Sequence, residues 1–524
     1  MRALPPWLDP LYTSAEMRAL DAWAIDEEGV PSLELMESAG GEVSRVVTGL
    51  APRGPVRAVC GKGNNGGDGL VVARRLHEVG VEAEALLLAD PHELSRDARV
   101  NHERLAEAGG RWRVIGAGEL PAALADSGCV VDALLGTGFE GSPRAPVDAA
   151  IGAVNGAGAP VVAVDVPSGV NASSGAVEGE CVQADVTVTF QAAKLGLLVH
   201  PGKARAGRLE VADIGIPVAR GGAPPAQGAG TIAAEVLAGL ATRGAESTKF
   251  SSGSVLVVGG STGLTGAVCM AAMGAMRAGA GWVRVAVPES LNLVFEMKLT
   301  EVMSVPLPDA QGCLAPDALA QVLEAAERAD SVVLGPGLGR TEGAFALAQE
   351  VAAQVDRPLL VDADGLNAVA AVGLETLAGR TAPTVLTPHA GELGRLLDTS
   401  SAEVSAHRLA AAAEAVERSG AIVVLKGDDT LVAEPGGRTG VSAGGSPALA
   451  TAGTGDVLSG VAGALLAQGT EPFRAACAAV YAHAAAGHGA AAALGPASVI
   501  AGDVLDALPA VLRAAASGPN RNRL

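Results

Sequence analysis

The sequence contains few aromatic residues and little positive charge. Phe, Trp and Tyr make up 2% of its 524 residues, which leaves few rings on which nucleobases could stack. Its 37 Lys and Arg residues face 57 Asp and Glu residues, so the net charge is −20 at pH 7. Such an excess of negative charge repels nucleic acids and anionic membrane surfaces. We therefore expect neither as a partner, and an anionic ligand must be held locally by backbone amides and a few cations.

Paired cysteines and targeting segments are also lacking. The six cysteines are scattered, with no C-x-x-C pair and no spacing typical of a zinc site. The first 28 residues carry six acidic side chains and have no apolar core of the kind found in a secretory signal. The uncharged stretch at 253–276 is interrupted by glycines, as in a strand, a loop and a helix. We expect a cytoplasmic protein without a membrane span, whose thiols are reduced and mostly buried.

The length and the apolar pattern predict two α/β domains. A chain of 524 residues exceeds what one hydrophobic core usually organises. Short β-branched runs alternate with helical stretches between about residues 55 and 215 and again from residue 254, which is typical of parallel sheets with helices on both faces. Residues 221–230 have the composition of a linker. We predict a first domain at 1–222, a linker at 223–230 and a second domain at 231–524.

A glycine-rich loop follows the first strand of the first domain. It reads G-K-G-N-N-G-G-D-G at residues 61–69 and leads directly into an apolar helix. The loop is neither G-x-G-x-x-G nor a Walker loop, so a phosphate cradle and tight packing of strand against helix both stay open. The polar Asn64, Asn65 and Asp68 within the loop favour a ligand.

Other strand ends in the first domain carry oxygen donors. Asp132 and Asp165 each end an apolar run, where an aspartate is costly unless it is hydrogen-bonded, caps a loop or holds a cation. The Asn65 amide, the Asp132 carboxylate and the Ser168 hydroxyl are hard donors that together suit an alkali cation. Lys194 follows a further strand, from which it could reach a substrate phosphate.

These motifs, with D-x-L-L-G-T-G at 132–138 and D-x-P-S-G at 165–169, closely resemble the NAD(P)H-hydrate epimerase family over the first domain. The resemblance implies a Rossmann-like three-layer α/β/α domain with potassium bound by Asn65, Asp132 and Ser168. Asp165 becomes the candidate acid or base, and Lys194 is a second catalytic candidate. The implied substrate contacts are Asn64, Asn65, Gly66, Gly67, Asp68, Gly136, Thr137, Gly138, Phe139, Glu140, Gly141, Ser142 and Asp165.

The second domain carries loops of small residues and polar strand ends. The loops at 259–267 and 335–339 let a bulky substrate approach the backbone closely. Asp362 and Asp364 end a strand and suit Mg²⁺ or its water ligands, although helix capping explains the pattern equally well. His389 lies near a carboxylate, yet a single histidine is more often structural than catalytic.

Two further motifs indicate phosphoryl transfer. The turn G-T-G-D places Asp456 at the start of an apolar helix, where backbone N–H groups and the helix dipole stabilise a transferred phosphoryl group. Asp456 would face the attacking hydroxyl, although an aspartate N-cap has the same sequence. Lys426 in K-G-D-D-T could grip nucleotide phosphates or pair with an aspartate. His483 and His488 lie in an alanine-rich helix and are interpreted as packing or capping residues.

Six motifs occur in order in the second half: G-G-S-x-G-x-T-G-A, G-P-G-L-G, D-A-D-G-L-N, T-P-H-x-G-E, K-G-x-x-T and A-G-T-G-D-V-L-S-G. Together they resemble the ribokinase-like NAD(P)H-hydrate dehydratase family. The resemblance implies a ribokinase-like α/β fold that uses Mg²⁺ and takes ADP as phosphoryl donor. The implied hydrate contacts are Ala267, Gly337 or Gly339, His389 and Asp456. The implied nucleotide contacts are Lys426, Gly427, Asp428, Asp429, Thr430 and Gly455.

One departure from the second family's pattern concerns Asp428 and Asp429, which stand where smaller residues are common. Two carboxylates there weaken phosphate affinity unless both side chains point to solvent.

Both resemblances together imply a cofactor-repair enzyme. The first domain would interconvert the R and S hydrates of NAD(P)H, and the second would dehydrate the S form with ADP, releasing AMP and phosphate. A homo-oligomer is expected. Two alternatives stay open: a ribokinase-like small-molecule kinase with an accessory dinucleotide-binding domain, and a scaffold that binds the dinucleotide without turnover.

Overall fold

The computed structural model describes residues 4–218, 221–240 and 243–516, and these residues form two compact units. The amino-terminal unit comprises residues 10–229, and the carboxy-terminal unit comprises residues 4–9 and 230–516. Residues 4–9 group with the carboxy-terminal residues because strand β1 (Leu8–Leu11) lies at the edge of that unit's sheet. The functional boundaries at 222 and 230 stay a prediction.

A seven-stranded sheet forms the centre of the amino-terminal unit. The strands lie in the order β4-β3-β2-β5-β6-β7-β8, and every neighbouring pair is parallel. The strand order reverses between β2 and β5, which is where ligands bind in open parallel sheets. The strands are β2 (Val56–Cys60), β3 (Ala83–Leu87), β4 (Arg111–Val114), β5 (Cys129–Ala133), β6 (Val161–Val164), β7 (Val186–Phe190) and β8 (Arg208–Ala212).

Helices cover both faces of this sheet. Ala58 and Cys60 of β2 lie in one apolar core and Val59 lies in another, because successive side chains of a strand point to opposite faces. The predicted three-layer arrangement is therefore confirmed. The edge strand β4 was not predicted, since its residues are all exposed. The helices are α1 (Ser14–Asp26), α2 (Ser32–Gly49), α3 (Asn64–Glu78), α4 (Arg96–Glu107), α5 (Leu120–Leu124), α6 (Val147–Asn155) and α7 (Gly202–Ala206).

An eleven-stranded sheet forms the centre of the carboxy-terminal unit, in the order β1-β9-β20-β19-β18-β17-β16-β15-β10-β11-β12. The neighbouring strands in the series β18-β17-β16-β15-β10-β11-β12 are parallel. Strand β19 pairs antiparallel with both β18 and β20. The last two residues of the predicted linker, 229 and 230, belong to β9. The strands are β9 (Ala229–Ile232), β10 (Ser254–Val258), β11 (Trp282–Pro288), β12 (Met303–Leu307), β15 (Ser331–Leu334), β16 (Leu359–Val361), β17 (Thr384–Leu386), β18 (Ile422–Leu425), β19 (Leu431–Ala433) and β20 (Thr439–Val441), with a separate hairpin of β13 (Asp309–Ala310) and β14 (Cys313–Leu314).

The helices of the carboxy-terminal unit complete its apolar core. Val255 and Val257 of β10 share one core with Val457 and Val461 of the helix that follows the G-T-G-D turn. All six cysteines are free and buried, as predicted. Within the described residues, no helix has the length and apolar character needed to cross a membrane. The helices are α8 (Thr265–Arg277), α9 (Asn292–Lys298), α10 (Leu319–Glu327), α11 (Glu342–Gln354), α12 (Asp364–Ala370), α13 (Ala390–Leu396), α14 (Ser401–Ala406), α15 (Arg408–Ser419), α16 (Thr454–Ala467), α17 (Pro472–Leu494) and α18 (Ala501–Ala516).

Candidate active sites

A cavity of about 950 Å³ lies beyond the carboxyl ends of β2, β5 and β6 in the amino-terminal unit. The loops after β2 and β5 diverge there because the strand order reverses between these two strands. The cavity is large enough for much of a dinucleotide. Ten predicted site residues line it: Asn64, Asn65, Asp68, Gly136, Thr137, Gly138, Phe139, Glu140, Asp165 and Lys194.

The remaining predicted contacts of this unit lie beside the cavity. Gly66 and Gly67 occupy the first turn of α3, where a Cβ on Gly66 would lie 1.8 Å from the backbone oxygen of Gly61. The glycine at this position therefore permits close packing of the helix on its loop. Gly141 and Ser142 line an adjoining depression.

Asp165 follows β6 directly with a φ of +66°, a conformation that costs energy for any residue other than glycine. Its Oδ1 lies 2.8 Å from Lys194 Nζ, and its Oδ2 accepts hydrogen bonds from the Thr137 hydroxyl and, at 3.0 Å, from the Thr137 backbone N–H. Burial by itself would raise the pKa of Asp165, but Lys194 and Thr137 hold that pKa below its usual range. Asp165 is therefore ionised at neutral pH.

Lys194 is a buried partner of this carboxylate. Its Nζ also donates to the backbone oxygen of Phe190 at 2.7 Å. Because the ammonium group is bound by Asp165 and by the backbone, it holds Asp165 in place.

Two further carboxylates line the same cavity. Burial, together with the charges of Asp165 and Asp21, raises the pKa of Asp68 well above its usual value. Burial also raises the pKa of Asp21 to about 6, with Lys194 opposing that shift. The site thus combines an ionised Asp165 with Asp68, whose pKa is raised by burial and by the neighbouring carboxylates.

Asp21 was missed by the sequence analysis. It lies on α1, far from the motifs in the chain, and it has no motif of its own. The signal in the sequence is its position beside the apolar stripe formed by the buried Met17, Leu20 and Ala24. A carboxylate at the margin of such a stripe faces either a ligand or a charged partner.

The three predicted potassium ligands converge on one backbone segment. Ser168 Oγ lies 2.6 Å from Asp132 Oδ1 and 3.2 Å from the backbone oxygen of Leu135, which also accepts a hydrogen bond from Asn65 Nδ2 at 3.0 Å. Burial raises the pKa of Asp132 to about 6, although Ser168 donates to both of its oxygens. This set of hard oxygen donors fits an alkali cation. Across the described part of the chain, no group of three His, Cys, Asp or Glu residues is arranged to hold a metal ion.

A buried ion pair marks the carboxyl ends of β16 and β18 in the carboxy-terminal unit. Lys426 Nζ lies 2.8 Å from Asp362 Oδ1 and 3.8 Å from Glu392 Oε2. Ser459 Oγ donates to Asp362 Oδ2 at 2.7 Å. Burial by itself would raise the pKa of Asp362, but Lys426 and Ser459 hold that pKa below its usual range. Asp362 is therefore an ionised anchor for Lys426.

Asp456 lies in the first turn of α16, next to this pair. The N-cap of the helix is Gly453, so Asp456 does not have the capping role that its sequence also allowed. A Cβ on Gly455 would lie 3.7 Å from Lys426 Nζ, which brings the turn close to the lysine. Burial and the charge of Asp362 raise the pKa of Asp456 to about 7, with Lys426 opposing them. A carboxylate with this pKa suits proton transfer at neutral pH.

His389 caps helix α13 and also presents a donor. Its Nδ1 accepts hydrogen bonds from the backbone N–H groups of Gly391 and Glu392 at 3.0 and 3.3 Å, and the Glu392 carboxylate accepts from the backbone N–H of His389 at 2.9 Å. Because Nδ1 is the acceptor, the proton of the neutral ring lies on Nε2. The ring is half exposed, and its Nε2 lies 3.6 Å from Glu392 Oε1.

Three of the predicted hydrate contacts are small residues that lie in tightly packed loops and turns: Ala267, Gly337 and Gly339. A Cβ on Gly337 would lie 2.5 Å from the backbone oxygen of Leu264 and 3.2 Å from Ala267 Cβ, so the loop after β15 rests on the start of α8. The backbone N–H of Gly339 donates to Asp364 Oδ2 at 3.1 Å. These positions are backbone contacts, where the absence of a side chain is what the packing requires.

A second cavity, of about 540 Å³, adjoins Lys426. The apolar side chains of Leu449, Leu458 and Val480 form part of its wall, which suits a nucleobase. Another part of the wall is formed by Lys426 and by glycines such as Gly427 and Gly455. The lysine ammonium and the backbone amides there suit phosphates. Five of the six predicted nucleotide contacts line it: Lys426, Gly427, Asp428, Thr430 and Gly455.

Asp429 does not line this cavity. It is buried, and its Oδ2 lies 3.0 Å from Arg408 Nε, while Arg408 Nη2 donates to the backbone oxygen of Leu425 at 3.2 Å. The acidic pair is therefore split: Asp428 is exposed at the cavity, and Asp429 points inward to an arginine instead of to solvent.

His483 also lines the second cavity, although the sequence analysis treated it as a packing or capping residue. Burial lowers its pKa to about 4, so the imidazole is neutral. The surrounding alanine-rich stretch of α17 carries no motif, and only the fold brings this ring to the cavity.

Comparison with known proteins identifies both halves of the chain. The family described as YjeF-related protein N-terminus matches residues 32–196, and the family described as NAD(P)H-hydrate dehydratase matches residues 255–510. The bifunctional NAD(P)H-hydrate repair enzyme of Moorella thermoacetica is 43% identical over 513 residues, covering 96% of each chain. That of Salinibacter ruber is 44% identical over 522 residues, again covering 96% of each chain.

Solved structures resemble the carboxy-terminal half. The ADP/ATP-dependent NAD(P)H-hydrate dehydratase of Bacillus subtilis, co-crystallised with ATP and Mg²⁺, is 29% identical with a TM-score of 0.47. The match covers 53% of the present chain and 96% of the Bacillus protein.

Proposed function

The chain belongs to the family of bifunctional NAD(P)H-hydrate repair enzymes, and we propose how its residues divide the two reactions of that repair. The amino-terminal cavity interconverts the R and S hydrates at C6 of the nicotinamide ring. The carboxy-terminal site dehydrates the S form with ADP and releases AMP and phosphate. The observation that carries this proposal is Asp456, a carboxylate with a pKa of about 7 in the turn beside Lys426, which lines a nucleotide-sized cavity.

For epimerisation, the acid and the base are the two carboxylates whose pKa values are shifted apart. Asp68, whose pKa is raised, donates a proton to the departing C6 hydroxyl, while the ring nitrogen supplies electrons as the C–O bond breaks. Asp165 is ionised and accepts a proton from the water that adds to the other face. Lys194 and Thr137 hold Asp165 in place and in its charged form.

Potassium is proposed for the amino-terminal unit on the chemistry of its donors. Asn65, Asp132 and Ser168 would hold the ion beside the loop that carries Thr137. When bound, the cation supplies positive charge that orders this loop and offsets the charge of Asp132. The proton transfers themselves are assigned to Asp68 and Asp165.

For dehydration, Asp456 accepts the proton of the C6 hydroxyl, whose oxygen then attacks the terminal phosphorus of ADP. The P–O bond to AMP breaks, and the new phosphate ester is a better leaving group than hydroxide. The ring nitrogen then expels phosphate from C6, and a proton passes from C5 to the departing phosphate, which restores the double bond of NAD(P)H. Lys426 and the amides of the turn at 452–455 stabilise charge on the transferred group.

Mg²⁺ is expected on the nucleotide phosphates and not on the D-A-D-G motif. Lys426 and Ser459 engage both oxygens of Asp362, while Arg340 and the Gly339 N–H engage those of Asp364. These carboxylates do not fit as direct metal ligands, so no step is assigned to the ion. The preference for ADP over ATP is proposed from the family resemblance.

The decisive experiment incubates the full chain with NADH hydrate and ADP and follows the absorbance of reduced nicotinamide. We expect recovery from a mixture of both epimers, because the first unit converts R into S. A kinase would instead accumulate a stable phosphorylated hydrate with no recovery, and a scaffold would leave the hydrate unchanged. Either result would overturn the proposal.

Two further properties stay proposals. We expect the chain to form a homo-oligomer and to work in the cytoplasm. Light scattering on the purified chain measures the first, and imaging of a tagged chain in its host measures the second.

A further inference from the structure

A line of polar contacts joins two exposed arginines in the carboxy-terminal unit. Arg340 Nε lies 2.9 Å from Asp364 Oδ1, which also accepts a hydrogen bond from Asn367 Nδ2 at 3.2 Å. Asn367 Oδ1 accepts in turn from Arg395 Nε at 2.8 Å. We call these four side chains, Arg340, Asp364, Asn367 and Arg395, the arginine network.

The arginine network lies beside the candidate hydrate contacts. Its members follow β15, β16 and β17, which are neighbours in the sheet, whereas the nucleotide cavity is built from residues after β18. The buried Asp364 also binds the N–H of Gly339. A Cβ on Gly391 would lie 2.9 Å from His389 Cε1 and 4.0 Å from Arg395 Nη1. The histidine ring and this guanidinium group therefore both lie close to Gly391. The network therefore occupies the end of the site away from the nucleotide.

The geometry of the two guanidinium groups suits an anion. Each uses its Nε within the network, and over the residues that the structure describes no hydrogen bond engages an Nη atom of Arg340 or Arg395. The Arg340 side chain is 71% exposed, but Asp364 fixes its orientation. Fixed guanidinium forks with available Nη groups match the paired oxygens of a phosphate, and little rotamer freedom is lost on binding.

The electrostatics of the site call for such cations. Asp362, Glu392 and Asp456 lie close enough to interact electrostatically with Lys426, which is paired with the first two. None of the predicted hydrate contacts carries a fixed positive charge, and the whole chain has a net charge of −20. An anionic dinucleotide therefore needs additional local cations to bind here.

We propose that the arginine network binds a phosphate group of the NAD(P)H hydrate in the dehydratase site. The inference rests on the proposed function and adds a substrate subsite to it. The phosphate is either the pyrophosphate, which both hydrates carry, or the 2′-phosphate, which only NADPH hydrate carries. Their shared chemistry is that of a phosphate oxyanion held by guanidinium groups.

The test uses Arg340→Gln and Arg395→Gln in the full chain, assayed for dehydration of purified S-NADH hydrate and S-NADPH hydrate at saturating ADP. We expect the KM for hydrate to rise about 10- to 100-fold, as for the loss of a charge-assisted hydrogen bond, with kcat within about twofold and the KM for ADP unchanged. A rise for both hydrates identifies the pyrophosphate. A rise for NADPH hydrate alone identifies the 2′-phosphate.

Controls separate recognition from folding. Arg328→Gln removes the same charge from an exposed arginine that pairs with Glu324, and it should change no kinetic constant. Arg340→Lys keeps the charge but loses the fork, so its KM should lie between those of the parent chain and Arg340→Gln. Thermal melting identifies any variant that fails to fold. If Arg340→Gln fails to fold, the KM of Arg340→Lys for hydrate decides whether Arg340 binds the phosphate.

Three outcomes would overturn the subsite: an unchanged KM for both hydrates, a fall in kcat without a change in KM, or a rise in the KM for ADP instead. Failure of the proposed function looks different, because the unsubstituted chain would then not regenerate NAD(P)H at all.

Discussion

Both units build their candidate site around an aspartate and a lysine whose charged atoms are 2.8 Å apart. In the amino-terminal unit Lys194 Nζ contacts Asp165 Oδ1, and in the carboxy-terminal unit Lys426 Nζ contacts Asp362 Oδ1. In each pair the lysine lowers the pKa of an aspartate that burial alone would make less acidic. Two different sheets thus keep a carboxylate ionised in a buried site in the same way.

The surroundings of the two pairs also correspond. A hydroxyl group, from Thr137 in one unit and Ser459 in the other, donates to the second oxygen of the aspartate. A neighbouring carboxylate, Asp68 or Asp456, has a raised pKa because of its burial and of the charges near it. Each site therefore contains one carboxylate that stays ionised and one that titrates at higher pH.

The two pairs differ in which partner faces the ligand. In the amino-terminal unit the Lys194 side chain is 2% exposed and that of Asp165 is 12% exposed. In the carboxy-terminal unit Lys426 is 22% exposed and Asp362 is 2% exposed. The first site presents an anion, which can accept a proton, and the second presents a cation, which can bind a phosphate. The same ion pair thus serves different chemistry according to which end the fold covers.

The largest effects are expected when the proton-accepting carboxylate is removed from one unit at a time. Asp456→Asn should lower dehydration by about 10²–10⁴-fold and leave epimerisation intact, because an amide cannot accept the proton. Asp165→Asn should lower epimerisation by a similar factor and leave dehydration of pure S hydrate intact. Chromatographic separation of the two epimers and the absorbance of regenerated NAD(P)H measure both activities. Loss of both activities in either variant would contradict the assignment of one reaction to each unit.

Replacing the lysines should separate their two roles. Lys194→Met removes the charge that lowers the pKa of Asp165, so the acid limb of the epimerase pH profile should move up by about 1–3 units. Lys426→Met should instead raise the KM for ADP by about 10- to 100-fold, because a charge-assisted phosphate contact is lost. Both variants are measured by pH profiles and ADP titrations. The comparison breaks down if Lys194→Met lowers epimerase activity equally at every pH.

The unsubstituted chain should show a pH difference between its two activities. The ionised form of Asp456 is the active base, so dehydration is present above its pKa of about 7 and is lost as the pH falls through that value. From pH 7 to pH 6 the ionised fraction falls from about one half to about one tenth, so kcat/KM should fall about fivefold. Asp165 has a pKa below its usual range, so epimerisation should lose no activity over this interval through its base. Parallel acid limbs for the two activities would argue against Asp456 as the base.

The smallest effect concerns the acidic pair of the nucleotide segment. Asp428→Ser removes an exposed carboxylate from the cavity and should lower the KM for ADP by about two- to fivefold, the range expected of one screened surface charge. Asp429→Ser is the matched control, because it breaks the buried contact with Arg408 and should lower the melting temperature without lowering that KM. The measurements are ADP titrations and thermal melts. A lower KM in both variants would contradict the different placement of the two aspartates.

Much of each site could be predicted because parallel strands place their carboxyl ends at one edge of the sheet. The apolar run before each of Asp132, Asp165, Asp362 and Lys426 indicated a strand, so these polar side chains had to lie at or just beyond a strand end. The glycine-rich turns indicated where the backbone could approach a ligand, and the loop after β2 does line a cavity.

Other residues escaped prediction because no local pattern marks them. Asp21 and His483 reach their cavities from helices that carry no motif, and Asp429 turned inward because Arg408 lies behind it. The arginine network assembles from the loop after β15 and from helices α12 and α13, none of which indicates an anion site by itself.

The sequence by itself determined the α/β class of both units, the family resemblance and the carboxylates at the strand ends, because these follow from local periodicity and short motifs. Only the tertiary structure decided which carboxylates have raised pKa values and which end of each ion pair is more exposed. Those properties depend on burial and on charges from distant segments. Ser459 and Asp362, for example, lie 97 positions apart in the chain and 2.7 Å apart in the fold.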